Sequence, residues 1–128
     1  MNTTNKILSE ISAGELMDKI TILEIKKVKI TDPEKQVIIN KELNSLHSTY
    51  QTYLTHSPEL QEQITKLKNI NLTLWDIEEG KRECERLKDF GDSFVQLARS
   101  VYIENDNRAK IKAEINRLTN STISEVKS

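Results

Sequence analysis

The sequence predicts an all-α protein, an antiparallel bundle of four to five helices in which the first helix is central. Apolar residues recur at helical spacing through most of its 128 residues. Only three glycines and two prolines are present, and each proline directly follows a residue that favours a helix start. We expect a single domain over residues 1–128, with 1–11 as a flexible arm and 120–128 as a loosely packed tail.

The first helix begins at a capping box, Ser12-Ala13-Gly14-Glu15. In this motif the serine oxygen accepts the N–H at the fourth position, and the carboxylate there reaches back to the serine N–H. The apolar residues that follow cover an arc wider than a single seam, so we expect neighbours on two sides of this helix. They are Leu16, Met17, Ile20, Ile22, Leu23, Ile25, Val28 and Ile30.

Two further helices start at Asp32-Pro33 and at Ser57-Pro58. Apolar residues from Ile39 to Tyr53 form a heptad-like seam, which favours an antiparallel hairpin with the first helix. The third helix runs to about Leu87, and a glycine within it at position 80 indicates a bend or the close approach of a neighbour. Asn71 beside its apolar stripe is either a register-fixing amide or a surface residue.

The sequence predicts two breaks in its last third. Phe90-Gly91-Asp92 ends the third helix, with the glycine in a left-handed cap and Asp92 or Ser93 capping a fourth helix over 93–104. At Asn105-Asp106-Asn107 we expect a second break, with Asn105 or Asp106 as N-cap of a fifth helix over 107–119. The alternative is one continuous helix.

Net charge, cysteine count and hydropathy limit the partners and sites that this chain can have. The formal net charge is -1, so we expect no long-range attraction to bulk nucleic acid or to a membrane. Residues 76–92 are net -3 and residues 108–117 net +3, which indicates two solvated faces that attract each other. Cys84 is the only cysteine, and no stretch approaches the roughly 20 apolar residues of a membrane span. We expect a cytoplasmic protein, in the host cytoplasm if it is phage-encoded.

One polar set lies in the last third of the chain. On a helix, Arg99, Tyr102 and Asp106 share a face, and Arg108 and Lys112 follow one turn apart. A guanidinium fork, a stacking ring and a helix N-terminus suit an anionic ligand such as a phosphate or nucleotide. The alternative is structural, with Arg99 paired to Asp106 or to an acid on the first helix.

A second polar set lies on the first helix, where Glu15, Asp18 and Lys19 are close in sequence. Glu15 and Asp18 share one face, as do the Mg²⁺-binding acids of all-helical nucleotide pyrophosphohydrolases. Twenty acids in this chain produce such spacings freely, so metal-dependent nucleotide hydrolysis is only an alternative. We expect no catalytic residue, no metal and no cofactor.

Two segments carry a family resemblance. The run from Ser12 to Lys26, and Phe90 to Tyr102 continuing through Asn105-Asp106 to Lys112, resemble a small family of bacterial and phage proteins catalogued only as a domain of unknown function. The resemblance lends no catalytic residue. It implies that the polar candidates form one ligand-binding constellation. These are Glu15, Asp18, Lys19, Arg99, Tyr102, Asn105, Asp106 and Arg108.

The hypothesis from sequence is therefore a non-catalytic protein that binds a small anionic or nucleotide-like ligand. If phage-borne, it would sequester a host nucleotide defence signal. A second hypothesis is a helical interaction or scaffold module. The wide apolar faces favour a homodimer or higher homo-oligomer under either reading.

Overall fold

The computed structural model describes residues 6–123, which form four α-helices and no strand. They are α1 (Ala13–Lys29), α2 (Pro33–Tyr53), α3 (Pro58–Leu87) and α4 (Asp92–Leu118). The helices pack side by side in a manner compatible with a bundle, and the prediction of an all-α fold is confirmed.

The chain on either side of the helices is only partly described. Residues 6–11 have no regular secondary structure and are exposed, and the last described residues, 120–123, form a turn after α4. The remainder of the predicted arm and tail, 1–5 and 124–128, lies outside the described residues.

Three helices begin where short polar side chains cap them. Ser12, Asp32 and Ser57 each accept the backbone N–H three residues ahead at 3.1 Å, which satisfies one N–H that the helix itself cannot bond. The predicted capping box at α1 is half formed. In the described chain the Glu15 carboxylate bonds to Lys112 on α4 instead of to the Ser12 N–H, because a buried ammonium group without an anion costs far more than one backbone N–H without a side-chain acceptor.

The end of α3 differs from the prediction. Lys88, with φ of 55°, takes the left-handed position, and the Asp89 N–H bonds to the carbonyl five residues back. This closes the helix as a Schellman motif, so no left-handed residue is needed later. Gly91 has φ of -81° and is itself the N-cap of α4, without a side-chain cap. The predictions of a left-handed Gly91 and of a cap by Asp92 or Ser93 are therefore wrong.

Helix α4 is continuous from Asp92 to Leu118, so the predicted break and the separate fifth helix are wrong. The Asn105 side chain does not cap the backbone; its Oδ1 accepts a hydrogen bond from Arg108 Nη1 at 3.1 Å. Because the Asn105 amide bonds to a side chain of the same helix, it does not compete for the backbone. The apolar spacing that continues to Ile111 therefore keeps this segment helical. Tertiary packing here overrides the turn preference of short polar residues.

Helix α1 packs against each of the other three helices, as predicted for a central helix. By backbone proximity α2 contacts α1 alone among the described helices, and it buries Ile39 and Leu43 of the predicted seam while Tyr53 at its end stays exposed. The core cluster draws on all four helices. It contains Ala13, Leu16, Met17, Ile20, Leu23, Ile39, Leu43, Leu60, Leu67 and Ile115.

Helices α3 and α4 form a long antiparallel pair. Their 30 and 27 residues correspond to about 45 and about 40 Å, against about 26 Å for the 17 residues of α1. Gly80 admits Leu97 between the two helices, since a Cβ at position 80 would lie 3.1 Å from Leu97 Cδ1. Of the two alternatives for this glycine, the structure shows the close approach.

The start of α1 crosses α4 at very short range. The Gly14 N–H donates to Asn116 Oδ1 at 2.7 Å, and a Cβ built on Gly14 would lie 2.5 Å from the backbone carbonyl oxygen of Lys112. Only glycine permits this separation, because the opposing atom belongs to backbone and cannot rotate away.

We predict that Gly14→Ala lowers the free energy of unfolding by about 1–3 kcal/mol, since α1 and α4 must separate to admit the methyl group. Gly80→Ala is the matched control. It meets only the end of the Leu97 side chain and raises helix propensity, so its effect should be near zero or stabilising. Urea denaturation measures both, and equal effects would contradict the role assigned to Gly14.

Candidate functional site

The most concentrated set of polar contacts surrounds a buried carboxylate on α1. The Asp18 side chain is 4% exposed, and Arg108 Nη2 lies 3.1 Å from its Oδ2. Lys112 Nζ lies 3.7 Å from the same oxygen, and Asn71 Nδ2 donates to Oδ1 at 3.0 Å. Both oxygens therefore have partners, from α3 and from α4. Together with Glu15 we call these residues the ion network.

Glu15 supplies the second carboxylate of the ion network. Its Oε2 accepts a hydrogen bond from Lys112 Nζ at 2.8 Å, and Lys19 Nζ lies 3.8 Å from its Oε1. The hydrogen bond from Lys112 lowers the pKa of Glu15 below its usual value, against the opposing effect of partial burial. At neutral pH this carboxylate is ionised, and Lys112, 6% exposed, lies between two anions.

Asn71 joins α3 to α1 through two hydrogen bonds. Besides its bond to Asp18, its Nδ2 donates to Thr21 Oγ1 at 3.0 Å, and the Thr21 hydroxyl donates to the Met17 carbonyl at 2.9 Å. Among residues 6–123 every buried side-chain nitrogen or oxygen has a hydrogen-bond partner. The geometry is that of a satisfied buried network, in which no described buried polar atom is left for a ligand.

The N-terminus of α1 is also satisfied from within the chain. Three side-chain oxygens accept its first N–H groups, which would otherwise form an anion site. The pairs are Ser121 with Ala13 at 3.3 Å, Asn116 with Gly14 at 2.7 Å and Ser12 with Glu15 at 3.1 Å.

The structure brings five of the eight predicted binding residues together. Glu15, Asp18 and Arg108 belong to the ion network, Asn105 bonds to Arg108, and Lys19 lies at the edge, beside Glu15. The association between the first helix and the last third of the chain is thus observed. Whether these residues bind a ligand remains a prediction.

The other three predicted residues lie on a different face of α4. Arg99 is nine residues before Arg108, which places it about 180° around the helix. Arg99, Tyr102 and Asp106 are all exposed. In the described chain Arg99 forms neither a hydrogen bond nor an ion pair, so it is not paired with Asp106 or with an acid of α1.

The eight predicted binding residues do not include every member of the site. Asn71 carried a signal, an amide on an apolar stripe, and the structure shows it buried. Lys112 also carried one, because it lies one turn after Arg108. Thr21 and Asn116 gave none, since a polar residue on a helix becomes buried only when another helix covers it.

Two surface grooves lie near the helix crossings. One, of about 410 Å³, lies between α1, α2 and α3; there Tyr50 Oη lies 3.2 Å from His56 Nδ1, and burial raises the pKa of Tyr50. The other, of about 770 Å³, lies beside the start of α1 and is lined mainly by α4. Its lining includes Asp106, Ala109, Lys110, Ala113 and Arg117.

The described residues form no cluster of metal ligands. Residues 6–123 contain no group of three or more His, Cys, Asp and Glu side chains placed to hold a metal ion. Glu15 and Asp18, the pair considered for metal-dependent hydrolysis, each face cations instead of further carboxylates. Within the described residues no helix is long and apolar enough to cross a membrane.

These features define, over residues 6–123, a protein of four helices in which a buried ion network joins α1, α3 and α4. Residues 7–128 match the Family of unknown function (DUF6165), and the chain belongs to that family. No curated protein and no solved structure matches the chain.

We predict that Asp18→Asn lowers the free energy of unfolding by about 3 kcal/mol, because it leaves Lys112 and the partly exposed Arg108 with one anion fewer in a buried setting. The matched control is Glu114→Gln, which breaks the exposed ion pair with Arg117 and should leave stability unchanged. Urea denaturation compares them. Equal losses of stability in the two variants would show that the buried ion pairs stabilise the fold no more than an exposed pair does.

The lowered pKa of Glu15 makes stability depend on pH. A carboxylate whose folded pKa is depressed stabilises the fold above its unfolded pKa, about 4.3, and this contribution is lost as pH falls through the folded pKa. We predict that the stability difference between wild type and Glu15→Gln is largest near neutral pH and shrinks below about pH 4.3. Denaturation curves across this range measure it, and a constant difference would refute the assignment.

Proposed function

We propose that this protein is a non-catalytic helical interaction module that binds another protein helix through the exposed face of α4. The observation that carries the proposal is a contrast on that one helix. Arg108 and Lys112 are matched by carboxylates within the chain, whereas Arg99, Tyr102 and Ile103 on other faces remain exposed.

The ion network supports a structural role for the polar residues on the inner face of α4. Asp18 is approached by α3 through Asn71 and by α4 through Arg108 and Lys112. A ligand that competed for these cations would leave the Asp18 carboxylate buried without a cation, at a cost of several kcal/mol. The ion network therefore favours a rigid scaffold over an exchangeable binding site.

Exposed apolar side chains support association through the α3–α4 pair. Tyr102 is 56% exposed and Ile103 45%, next to each other in the middle of α4. Leu87, Phe90 and Val95 are exposed towards the turn that joins α3 to α4. Single exposed apolar residues are ordinary, but several along one hairpin mark a surface for a protein partner.

A second candidate is the binding of a small anionic or nucleotide-like ligand, including a nucleotide defence signal. The groove of about 770 Å³ favours it, because that volume suits a small molecule and Lys110 and Arg117 are among its lining residues. This candidate places the ligand beside the ion network and leaves the network itself intact.

Native mass spectrometry of the protein purified from its own host tests both candidates. For the interaction module we predict an assembly with at least one further chain, and loss of that chain in Tyr102→Ser/Ile103→Ser. The matched control is Val37→Ser/Ile38→Ser, an exposed apolar pair on α2, 69% and 66% exposed, which should leave the assembly intact.

Other outcomes decide against the proposal. A lone chain in wild type rejects the interaction module, and a lone chain with a retained small anion favours the second candidate. Equal losses in the two double variants would show that exposed apolar residues in general, rather than the α4 face, hold the partner.

A further inference from the structure

We propose that the partner helix is α4 of a second copy of this chain, packed antiparallel against the first about a two-fold axis between Tyr102 and Ile103. This inference rests on the proposed function, since it names the partner for the same face of α4. It makes the protein a dimer joined by its last helix.

The surface involved is a stripe along one side of α4, which we call the outer stripe. Successive members are one, three or four residues apart, so they share one side of the helix. All are exposed. They are Asp92, Val95, Arg99, Tyr102, Ile103, Asp106 and Lys110.

Arg99 is the exception among the arginines of the chain. Each of the other four, Arg82, Arg86, Arg108 and Arg117, is in an ion pair within the chain. Arg99 has no such partner in the described chain, and neither has Lys110. Within residues 6–123 the outer stripe thus presents two unpaired cations, one on either side of the apolar Tyr102 and Ile103.

The order of charges along the outer stripe is complementary to its own reverse. From the start of α4 it runs negative at Asp92, positive at Arg99, negative at Asp106 and positive at Lys110. An antiparallel copy centred between residues 102 and 103 therefore sets Arg99 opposite Asp106 of the second copy. It also brings Lys110 within one turn of the second copy's Asp92. Such pairing fixes orientation and register between helices.

The same pairs cannot form within one copy. Asp92 and Lys110 are 18 residues apart, which is about 27 Å along a helix and beyond the Debye length of about 8 Å at physiological salt. Arg99 and Asp106 are seven residues apart, further than the three or four at which neighbours on a helix pair. An antiparallel second copy is the simplest arrangement that brings both pairs together.

The larger groove provides space for the second helix. Asp106 and Lys110 of the outer stripe also line this groove, and between and beyond them the lining residues are the small Ala109 and Ala113. In the antiparallel arrangement the first half of the second copy's α4 lies over these alanines. Small side chains at a crossing let two helices approach closely.

A charge-reversal mixing experiment tests the pairing. Arg99→Glu alone sets acids against acids on both sides of the axis, and Asp106→Arg alone sets bases against bases. We expect each variant to self-associate about 10-fold or more weakly than wild type.

An equimolar mixture of the two variants restores both attractive pairs. The glutamate introduced in one chain faces the arginine introduced in the other, and the native Asp106 of the first chain faces the native Arg99 of the second. We therefore predict dimers of wild-type affinity in the mixture, measured by sedimentation equilibrium.

Circular dichroism melting of each variant controls for folding. Should Asp106→Arg unfold, the pair Asp92→Lys and Lys110→Glu offers the same mixing test on the outer turns. A wild-type chain that stays monomeric, or a mixture that stays as weak as its components, overturns the inference. If native mass spectrometry then finds a different chain lost from Tyr102→Ser/Ile103→Ser, the interaction module stands and only its partner is reassigned.

Discussion

The structure depends on the cost of burying one carboxylate. Asp18 lies inside the bundle, and an ionised carboxylate is tolerated there only when cations and hydrogen-bond donors surround it. Those partners come from two different helices, so α3 and α4 must both be in position before the site is satisfied. The ion network therefore ties the position of α1 to that of the α3–α4 pair.

Two arginines on opposite faces of α4 illustrate how the same side chain serves different purposes. Arg108 faces α1 and its charge is neutralised there by Asp18, whereas Arg99 faces solvent with its charge unmatched in the described chain. Because the charges on the inner face of α4 are neutralised within the chain, they do not attract a partner. Under the proposed function, a partner would contact the outer stripe, with its alternating charges and central apolar pair.

The sequence predicted those parts of the fold that local rules control. Caps at Ser12, Asp32 and Ser57 located three helix starts, and apolar spacing identified α1 as the helix in contact with all others. Local rules failed at Lys88, where a backbone motif ends α3 without a glycine. They also failed at Asn105, where the side chain bonds to a guanidinium group one turn away and the helix continues. Glu15, Asp18 and Arg108 were predicted as one set from the family resemblance, because the two motifs that carry it contain them. The burial of Asn116 requires knowledge of the crossing at Gly14 and has no signature in sequence.

The contact between Gly14 and Asn116 joins positions 102 residues apart, and so it sets an order of events during synthesis. Helix α1 precedes α4 in the chain, so it leaves the ribosome before its polar partners on α4 do. Helix α2 follows directly and packs against α1, whereas the partners of Asp18 lie further along the chain, on α3 and α4. The long-range contacts must wait for α4, and such contacts slow folding. Docking of α4 onto α1 therefore requires the synthesis of all four helices.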